Sequence, residues 1–241
     1  MNKITALIPA RGGSKGVYKK NITKVCGFPL IAYTIEVCKQ SNFIDRIVVS
    51  TEDEEIAKIA LLYGAEVPFI RPKELAQDYS TDYDVVNHFF CVSGVNQVAY
   101  MRPTTPLRDP ETVDDVIKEF YTIQEKITGL RTIQELSEPP YKMCKLDQNH
   151  CCAGFFDNFN GITDYMNLPR QVFPKAYHPN GYVDLIKKES LGNNEVFGNK
   201  IKGFITKYTT EIDSEHELEL LKFELSKKKY KVLEMLRDRH V

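Results

Sequence analysis

Residues 10–21 carry the clearest chemical signal in the sequence. They read ARGGSKGVYKKN, with three glycines, four cations and no acidic residue. Glycines let backbone N–H groups turn toward a ligand, and clustered cations attract phosphate oxygens. The segment matches neither the P-loop pattern nor the dinucleotide-binding glycine pattern. We interpret it as a cradle for the phosphates of a nucleoside triphosphate; the alternative is a solvated basic loop. The four cations are Arg11, Lys15, Lys19 and Lys20.

A pair of carboxylates late in the chain is the second candidate. Glu211 and Asp213 are two residues apart, so both side chains point to the same side of an extended segment. Two such carboxylates offer the oxygen ligands that Mg²⁺ prefers. The alternative is an acidic flank for a helix that begins at Ser214, where Ser214 and Glu217 form a capping box. Because a phosphate loop is predicted upstream, we favour the metal site.

Short β-branched runs alternate with helical periodicity through most of the chain. This alternation predicts an α/β fold, a Rossmann-like and mostly parallel sheet with helices on both faces. Ligands in such folds bind beyond the carboxyl ends of the strands. The segments to search are therefore 10–21, 51–53, 71–80 and 102–109. Predicted strands span 3–9, 46–51, 66–70, 97–101, about 181–187 and about 201–208, and predicted helices span 28–40, 53–63, 82–92, 110–123 and a stretch from about 214.

The alternation breaks between about 135 and 178. This stretch carries four prolines and many polar residues. We interpret residues 1–241 as one domain in which 135–178 is an excursion from the sheet, either a lid or a dimerisation arm. It has no predicted sheet of its own to pack on, so we expect it to reach the neighbouring subunit of a homodimer.

Composition narrows the class of protein. The chain has 241 residues, 32 Lys and Arg against 33 Asp and Glu, and a net charge of -1. A nucleic-acid partner is not expected, because such proteins usually carry a basic excess. No run of about 18 apolar residues predicts a membrane span, and the short apolar start is not a signal peptide. The six cysteines include no C-x-x-C pair, so we expect reduced thiols in the cytoplasm.

Several motifs occur in the order found in one family. The most specific is R-G-G-S-K-G at 11–16, followed by Lys20-Asn21. In this combination the chain resembles the acylneuraminate cytidylyltransferases, the CMP-sugar synthetases that activate sialic-type acid sugars. The resemblance extends from residue 3 to about 225. The weaker matches are IVVSTED at 47–53, GAEV at 64–67, RPTTPLR at 102–108, RQ at 170–171, PNG at 179–181 and EID at 211–213.

The resemblance implies a reaction. The anomeric hydroxyl of a nine-carbon 2-keto acid sugar would attack the α-phosphate of CTP, and pyrophosphate would leave. Arg11, Lys15 and Lys20 are implied as the catalytic cations, because the transition state gains negative charge. Mg²⁺ is implied at Glu211 and Asp213; relatives usually carry Asp-x-Asp, so Glu211 is a departure. The implied nucleotide-binding residues are Ala10, Arg11, Gly12, Gly13, Ser14, Lys15 and Asn21, with the backbone of Ala10 and Gly13 reading the cytosine edge.

The resemblance also implies a sugar-binding side. Relatives read Q-P-T-S-P-L-R and often N-G-x-x-Tyr, so Arg102 replaces an amide and Asp184 replaces a phenol. Buried charges are costly unless paired, and we expect Arg102 to bind Asp184 in a bidentate pair. We then expect N-acetylneuraminate not to be the best substrate; the alternative is that both changes lie outside the pocket. The implied sugar-side residues are Arg102, Lys142, Arg170, Asn180 and Asp184, of which Lys142 and Arg170 lie in the excursion.

The sequence leaves two other functions open. A nucleotidyltransferase of the same fold could act on 3-deoxy-octulosonate or another sugar. A chain of this fold could also be an inactive nucleotide-sensing module, since fold does not decide function. The presence of Arg11, Lys15, Lys20 and Asp213 argues against the inactive module.

Overall fold

A computed structural model describes residues 3–239 of the chain. Within that range the main sheet has six strands in the order β10-β6-β9-β5-β1-β4. The strands are β1 Ile4–Pro9, β2 Lys24–Val25, β3 Phe28–Pro29, β4 Ile44–Ser50, β5 Gln97–Tyr100, β6 Gly129–Glu135, β7 Cys144–Leu146, β8 Cys152–Gly154, β9 Tyr177–Lys187 and β10 Ile201–Ile205. The helices are α1 Leu30–Gln40, α2 Glu54–Leu62, α3 Asp82–Ser93, α4 Pro110–Ile123, α5 Glu215–Lys227 and α6 Lys231–Asp238.

The predicted fold class is confirmed. Strand β1 runs parallel to β4 and β5, and β10 runs parallel to β6. Only β9 reverses direction within this sheet, pairing antiparallel with both β5 and β6. Helices α1 and α4 cover one face of the sheet, and α3 covers the other. Both faces are therefore buried, which is why the central strands read as nearly continuous apolar runs.

One predicted strand is wrong, and several boundaries shift. Residues 66–70 do not form a strand; only Glu66 bridges to Val48 on β4. Pro68 has no N–H to donate, so the ladder cannot continue past it. The helix expected from residue 28 begins at Leu30, because Phe28 and Pro29 pair with β2 instead. The last predicted strand ends at Ile205 rather than near residue 208.

Helices α2, α3 and α5 begin where a short polar side chain bonds their free N–H groups. Asp53 accepts from the backbone N–H groups of Glu55 and Ile56 at the start of α2. Thr81 and Asp84 form a capping box at the start of α3. The capping box expected at Ser214 is present at the start of α5. Each such cap stabilises its helix by about 1 kcal/mol and fixes the end of the loop before it.

The excursion has a sheet of its own, contrary to the expectation that it has none. Strands β7 and β8 form an antiparallel hairpin. Beside it, the Tyr141 ring stacks on Phe173 with centroids 5.1 Å apart and packs against three further rings. Those three rings belong to Phe156, Phe159 and Tyr165. The excursion therefore has a small aromatic core that folds it locally.

The loop that follows β1 is clamped from two sides. A Cβ on Gly12 would lie 2.5 Å from Asp53 Oδ2, and a Cβ on Gly16 would lie 1.8 Å from the carbonyl oxygen of Asp213. Nothing lies within 4 Å of the corresponding position at Gly13. Gly12 therefore allows the loop to lie against the Asp53 side chain, and Gly16 allows it to lie against the backbone of Asp213. The second contact ties residues 10–21 to the 211–213 segment, almost two hundred residues away.

No helix within residues 3–239 is long and apolar enough to cross a bilayer.

This clamp predicts unequal effects of two glycine substitutions. We expect Gly16→Ala to lower the free energy of unfolding by about 1–3 kcal/mol, because the Asp213 backbone must move to admit the methyl group. The matched control, Gly13→Ala, adds the same group into open space and should be neutral or stabilise by less than about 1 kcal/mol. Urea denaturation of both variants measures the difference; equal midpoints would contradict the clamp.

Candidate active site

A cleft of about 390 Å³ opens at the carboxyl ends of β1 and β5. Its walls come from the 9–21 loop, the 71–85 segment, residues 100–104 and Asp213. This is the edge of the sheet where ligands bind in open α/β folds. Three of the four segments singled out in the sequence line it, and the 51–53 segment lies behind the 9–21 loop, where Glu52 Oε1 accepts from the Gly12 N–H at 2.7 Å.

The predicted cations divide into two groups. Arg11, Lys15 and Lys20 line the cleft, whereas Lys19 has a left-handed backbone (φ +48°) and bonds Glu55 of α2. Lys20 Nζ lies 2.8 Å from Asp213 Oδ1. The Lys20 side chain is only 14% exposed, but that of Asp213 is 68% exposed, so the pair remains open to water on the carboxylate side.

Arg11 and Lys15 are joined across the cleft to one carboxylate. Lys15 Nζ lies 2.8 Å from Asp78 Oδ2, and Arg11 Nη2 lies 3.5 Å from Asp78 Oδ1. Arg11 Nη1 also donates to the carbonyl oxygen of Gln77 at 2.7 Å. The hydrogen bond from Lys15, with the two positive charges, lowers the pKa of Asp78. Asp78 thus keeps both cations extended over the cleft.

The remaining nucleotide-side residues of the loop have structural partners. Asn21 is buried, and its side-chain amide donates to the carbonyl oxygen of Arg11 at 2.9 Å. Because the Gly12 N–H donates to Glu52, it is not among the N–H groups that face the cleft. Ala10 is fully buried, and its N–H donates to the Ser50 carbonyl oxygen. Ser14 lines the cleft, whereas Gly13 is not among the lining residues.

The two carboxylates lie near each other, with unequal partners. Asp213 bonds Lys20, whereas Glu211 has only a long contact of 3.4 Å with Thr104 Oγ1. Burial, and then the negative charge of Asp213, raise the pKa of Glu211. Of these two carboxylates, only Asp213 forms an ion pair within the described residues, with Lys20, and a second carboxylate without such a partner suits a divalent cation. Mg²⁺ commonly takes one or two protein carboxylates and completes its shell with phosphate oxygens and water, so the residues present fit it.

The expected ion pair between Arg102 and Asp184 is present, but it is not bidentate. Arg102 Nη1 donates to Asp184 Oδ2 at 3.0 Å, while Nη2 bonds Asp82 at the start of α3. Asp184 is fully buried and also faces Arg131, whose Nη2 lies 3.6 Å away. Tyr100 donates its hydroxyl to Asp82 Oδ1 at 2.7 Å. One guanidinium therefore bridges two carboxylates in a chain of four charges, Arg131, Asp184, Arg102 and Asp82.

Opposing effects act on the ionisation of this chain. Burial opposes the ionised form of Asp82, but the charge of Arg102 and the Tyr100 hydroxyl outweigh it and lower the pKa. Burial similarly opposes the charged form of Arg102, but the negative charge of Asp82 outweighs it and raises the pKa. Both shifts favour the charged forms, so Asp82 and Arg102 are both charged at neutral pH.

A buried arginine, Arg108, joins the two turns around Arg102. Its guanidinium donates to Thr34 Oγ1 at 2.9 Å and to four carbonyl oxygens. Burial lowers its pKa to about 10. The sequence places Arg108 in the RPTTPLR motif without indicating that role, because its bonding partners are backbone atoms. The four carbonyl oxygens belong to Arg102, Thr105, Gly181 and Tyr182.

The other predicted sugar-side residues lie in different places. Asn180 is buried and donates to Thr206 Oγ1 at 2.6 Å, and Gly181 has φ +60° with Arg102 directly behind it. Lys142 donates to the carbonyl oxygen of Met166 at 3.0 Å, inside the excursion. Arg170 lines a separate groove at the base of the excursion. Neither Lys142 nor Arg170 lines the cleft.

Sequence reasoning missed three charged residues of the cleft. Arg71 and Asp82 line it, and so does Asp78. Arg71 is 2% exposed and bonds Glu52 Oε2 at 3.1 Å. The 71–80 segment was a region to search, but isolated charges in a loop give no spacing signal. Only their partners in the fold distinguish them from surface residues.

Comparison with known proteins identifies the family. Residues 5–151 match the family described as cytidylyltransferase. The chain is 33% identical to the post-translational flagellin modification protein B of Campylobacter coli over 241 residues, covering 95% of this chain and 97% of that protein. It is 34% identical to the pseudaminic acid cytidylyltransferase of Campylobacter jejuni, covering 74% and 76%. It is 31% identical to the N-acylneuraminate cytidylyltransferase of Escherichia coli, covering 93% of this chain but only 51% of that enzyme.

A solved structure agrees at the level of fold. CMP:2-keto-3-deoxy-manno-octonic acid synthetase complexed with CTP superposes with a TM-score of 0.68 at 14% identity, covering 94% of this chain and 99% of that one. The family resemblance stated from the motifs is confirmed by the sequence relatives. The chain, with its cationic loop at the carboxyl end of β1, belongs to the cytidylyltransferase family.

Proposed function

We propose that the chain transfers the cytidylyl group of CTP to a nine-carbon 2-keto acid sugar and releases pyrophosphate. The observation that supports this most is the cleft itself, which is lined by the cations of Arg11, Lys15 and Lys20 and by the carboxylate of Asp213. Relatives whose names specify N-acylneuraminate and pseudaminic acid indicate the class of sugar. Six free thiols support a reducing, cytoplasmic location.

The reaction needs positioning and positive charge more than proton transfer. The anomeric hydroxyl oxygen forms a bond to the α-phosphorus and loses its proton to water, while the bond to the bridging oxygen breaks and its electron pair leaves with pyrophosphate. Arg11, Lys15 and Lys20 bind the phosphate oxygens on which negative charge accumulates. When CTP binds, its triphosphate oxygens replace the Asp78 carboxylate as partners of Lys15 and Arg11. The two cations then contact a polyanion instead of a single negative charge.

Magnesium belongs to the same proposal. Glu211 and Asp213 would hold the ion, and the raised pKa of Glu211 is consistent with a cation-poor carboxylate pair. Bound there, Mg²⁺ would neutralise phosphate charge and polarise the bond to the leaving group. Glu211 is one methylene longer than the aspartate usual in relatives and is anchored by the buried Ile212, whose N–H donates to the Thr104 carbonyl oxygen at 2.8 Å.

We further propose a homodimer in which the excursion completes the site of the partner. Lys142 and Arg170 do not line the cleft of their own chain. Apolar side chains on the excursion are exposed to water, as an unoccupied interface would leave them. These include Phe155 at 58% and Val172 at 51%.

The first test is pyrophosphate release. We expect release from CTP with Mg²⁺ and at least one of N-acetylneuraminic, legionaminic, pseudaminic or deaminated acid, and little with ATP or GTP. Lys20→Ala and Arg11→Ala should each lower kcat/KM by roughly 30- to 1000-fold, the effect of losing ~2–4 kcal/mol of transition-state stabilisation. Lys24→Ala, an exposed lysine on β2 outside the cleft, is the control.

Three outcomes would contradict this proposal. Release with 3-deoxy-octulosonate alone would indicate a different sugar class. CTP binding without release from any sugar would indicate an inactive module. A change in kcat/KM below threefold in both Lys20→Ala and Arg11→Ala would contradict the assignment of these two residues to phosphate binding.

The second prediction concerns the choice of sugar. Relatives carry a glutamine amide at the position of Arg102. The Arg102 guanidinium does not replace that amide as a partner for the sugar, because it is bonded to Asp184 and Asp82. We expect N-acetylneuraminate not to have the highest kcat/KM of the panel. Arg102→Gln and Asp184→Tyr should each cost more than the double variant, since each single change leaves a charge unpaired. The exposed pair Arg46 and Glu66, changed in the same way, is the control and should show no coupling.

A preference for N-acetylneuraminate in the parent, together with additive effects of Arg102→Gln and Asp184→Tyr, would show this prediction to be wrong. Circular dichroism of all three variants separates altered specificity from loss of folding.

The third prediction concerns assembly. Light scattering at micromolar concentration should give twice the mass of one chain. Phe155→Glu places a charge on the exposed face of the excursion and should shift the mass toward one chain. Phe223→Glu, at an equally exposed phenylalanine on α5, should not. A fully active monomer would contradict the dimer.

A further inference from the structure

Two thiols lie side by side on the hairpin of the excursion. The β7–β8 register pairs Cys144 with Gly154 and Leu146 with Cys152. Side chains alternate between the faces of a strand, so Cys144 and Cys152 lie on the same face as diagonal neighbours. The two thiols are hydrogen-bond partners, and this bond raises the pKa of Cys152. Both residues are exposed.

The hairpin holds these thiols in place. At its tip, Asp147 Oδ1 accepts from the N–H groups of Asn149 and Cys151, both at 2.8 Å, and the Asp147 N–H donates to the Cys151 carbonyl oxygen at 3.1 Å. At its base, a Cβ on Gly154 would lie 1.9 Å from the buried Tyr165 hydroxyl, so the strand is packed directly on the aromatic core.

The other cysteines are separated from this pair. Cys151 adjoins Cys152 in sequence but lies in the turn at the tip of the hairpin, outside β8. Cys38 is buried beside the sulfur of Met101, 3.3 Å away. Cys26 lies between β2 and β3, and Cys91 lies in α3. Among the described residues, only Cys144 and Cys152 combine exposure with mutual contact across two paired strands.

We propose that Cys144 and Cys152 form a reversible dithiol–disulfide couple that reacts with small-molecule disulfides. One thiolate attacks a sulfur of the external disulfide and releases one small thiol. The second protein thiol then attacks the mixed disulfide and releases the other. The two protein thiols are oxidised, the external disulfide is reduced to two thiols, and two protons are exchanged with water. Such couples in reducing compartments are usually transient and regulatory.

The position of the Cys144–Cys152 couple would let its oxidation affect the sugar side of the site, an inference that rests on the proposed function. Cys144 is two residues from Lys142, whose ammonium is fixed to the Met166 carbonyl oxygen. Closing the couple would stiffen the segment that carries this sugar-side lysine.

The test measures thiol chemistry and does not depend on catalysis. The full-length protein is incubated with glutathione disulfide, quenched with an alkylating agent, digested without reduction and analysed by mass spectrometry. We expect a crosslink between the peptides of Cys144 and Cys152, with a mass lower by about 2 Da than the two free peptides. Cys151→Ser should keep the crosslink, and added dithiothreitol should remove it.

Single variants show whether the two thiols act as a couple. In Cys144→Ser and in Cys152→Ser, the remaining thiol has no partner and should accumulate a glutathione adduct. The parent should accumulate the adduct at neither position. Stable glutathione adducts on the parent would overturn the proposal, as would a crosslink between two chains or one that includes Cys151.

Discussion

A cation buried without a carboxylate partner, the guanidinium of Arg108, determines how the cleft is assembled. Taking a guanidinium out of water is unfavourable unless every N–H finds an acceptor. Here the acceptors are carbonyl oxygens from two separate turns and a hydroxyl from α1. Because these carbonyl oxygens must converge on one planar group, the turn after β5 and the turn at Gly181 hold a fixed relation. Arg102 stands on the first turn and faces the second, so its position follows from Arg108.

Charge pairing governs the rest of the cleft in the same way. Each cation that could bind phosphate is paired: Lys20 with Asp213, and Lys15 and Arg11 with Asp78. These pairs are partly exposed, so exchanging one anion for another costs little. The pair of Arg102 and Asp184 is different, since Asp184 is fully buried. The cleft therefore has an outer set of cations that can change partners and an inner set that cannot.

Local features of this fold could be predicted from the sequence, and so could the long-range pair of Arg102 and Asp184, whereas the partners of Asp78 and Asp82 could not. The helix that begins after Ser214 and the loop at 10–21 depend on neighbouring residues, and both were predicted. The strand predicted at 66–70 does not form. The prediction gave the apolar residues of this segment more weight than Pro68, which has no N–H to donate. Asp78 and Asp82 were missed because their partners lie 60 or more and 20 residues away, respectively. The local sheet of the excursion was missed because β7 and β8 have only three residues each.

The inner charges also show why Arg102 and Asp184 must be considered together. Asp184 occupies the middle of β9, opposite Tyr100 of β5 and Arg131 of β6. A lone carboxylate at this position would be buried between two strands with only the more distant Arg131 to balance it. A lone Arg102 would keep only Asp82, which already accepts from Tyr100. Arg102 and Asp184 are stable together, and removing either one is destabilising because it leaves the other charge without its partner. Of the two, only Arg102 lines the cleft, whereas Asp184 is fully buried, so the carboxylate acts on the cleft through the position that it gives to the Arg102 guanidinium.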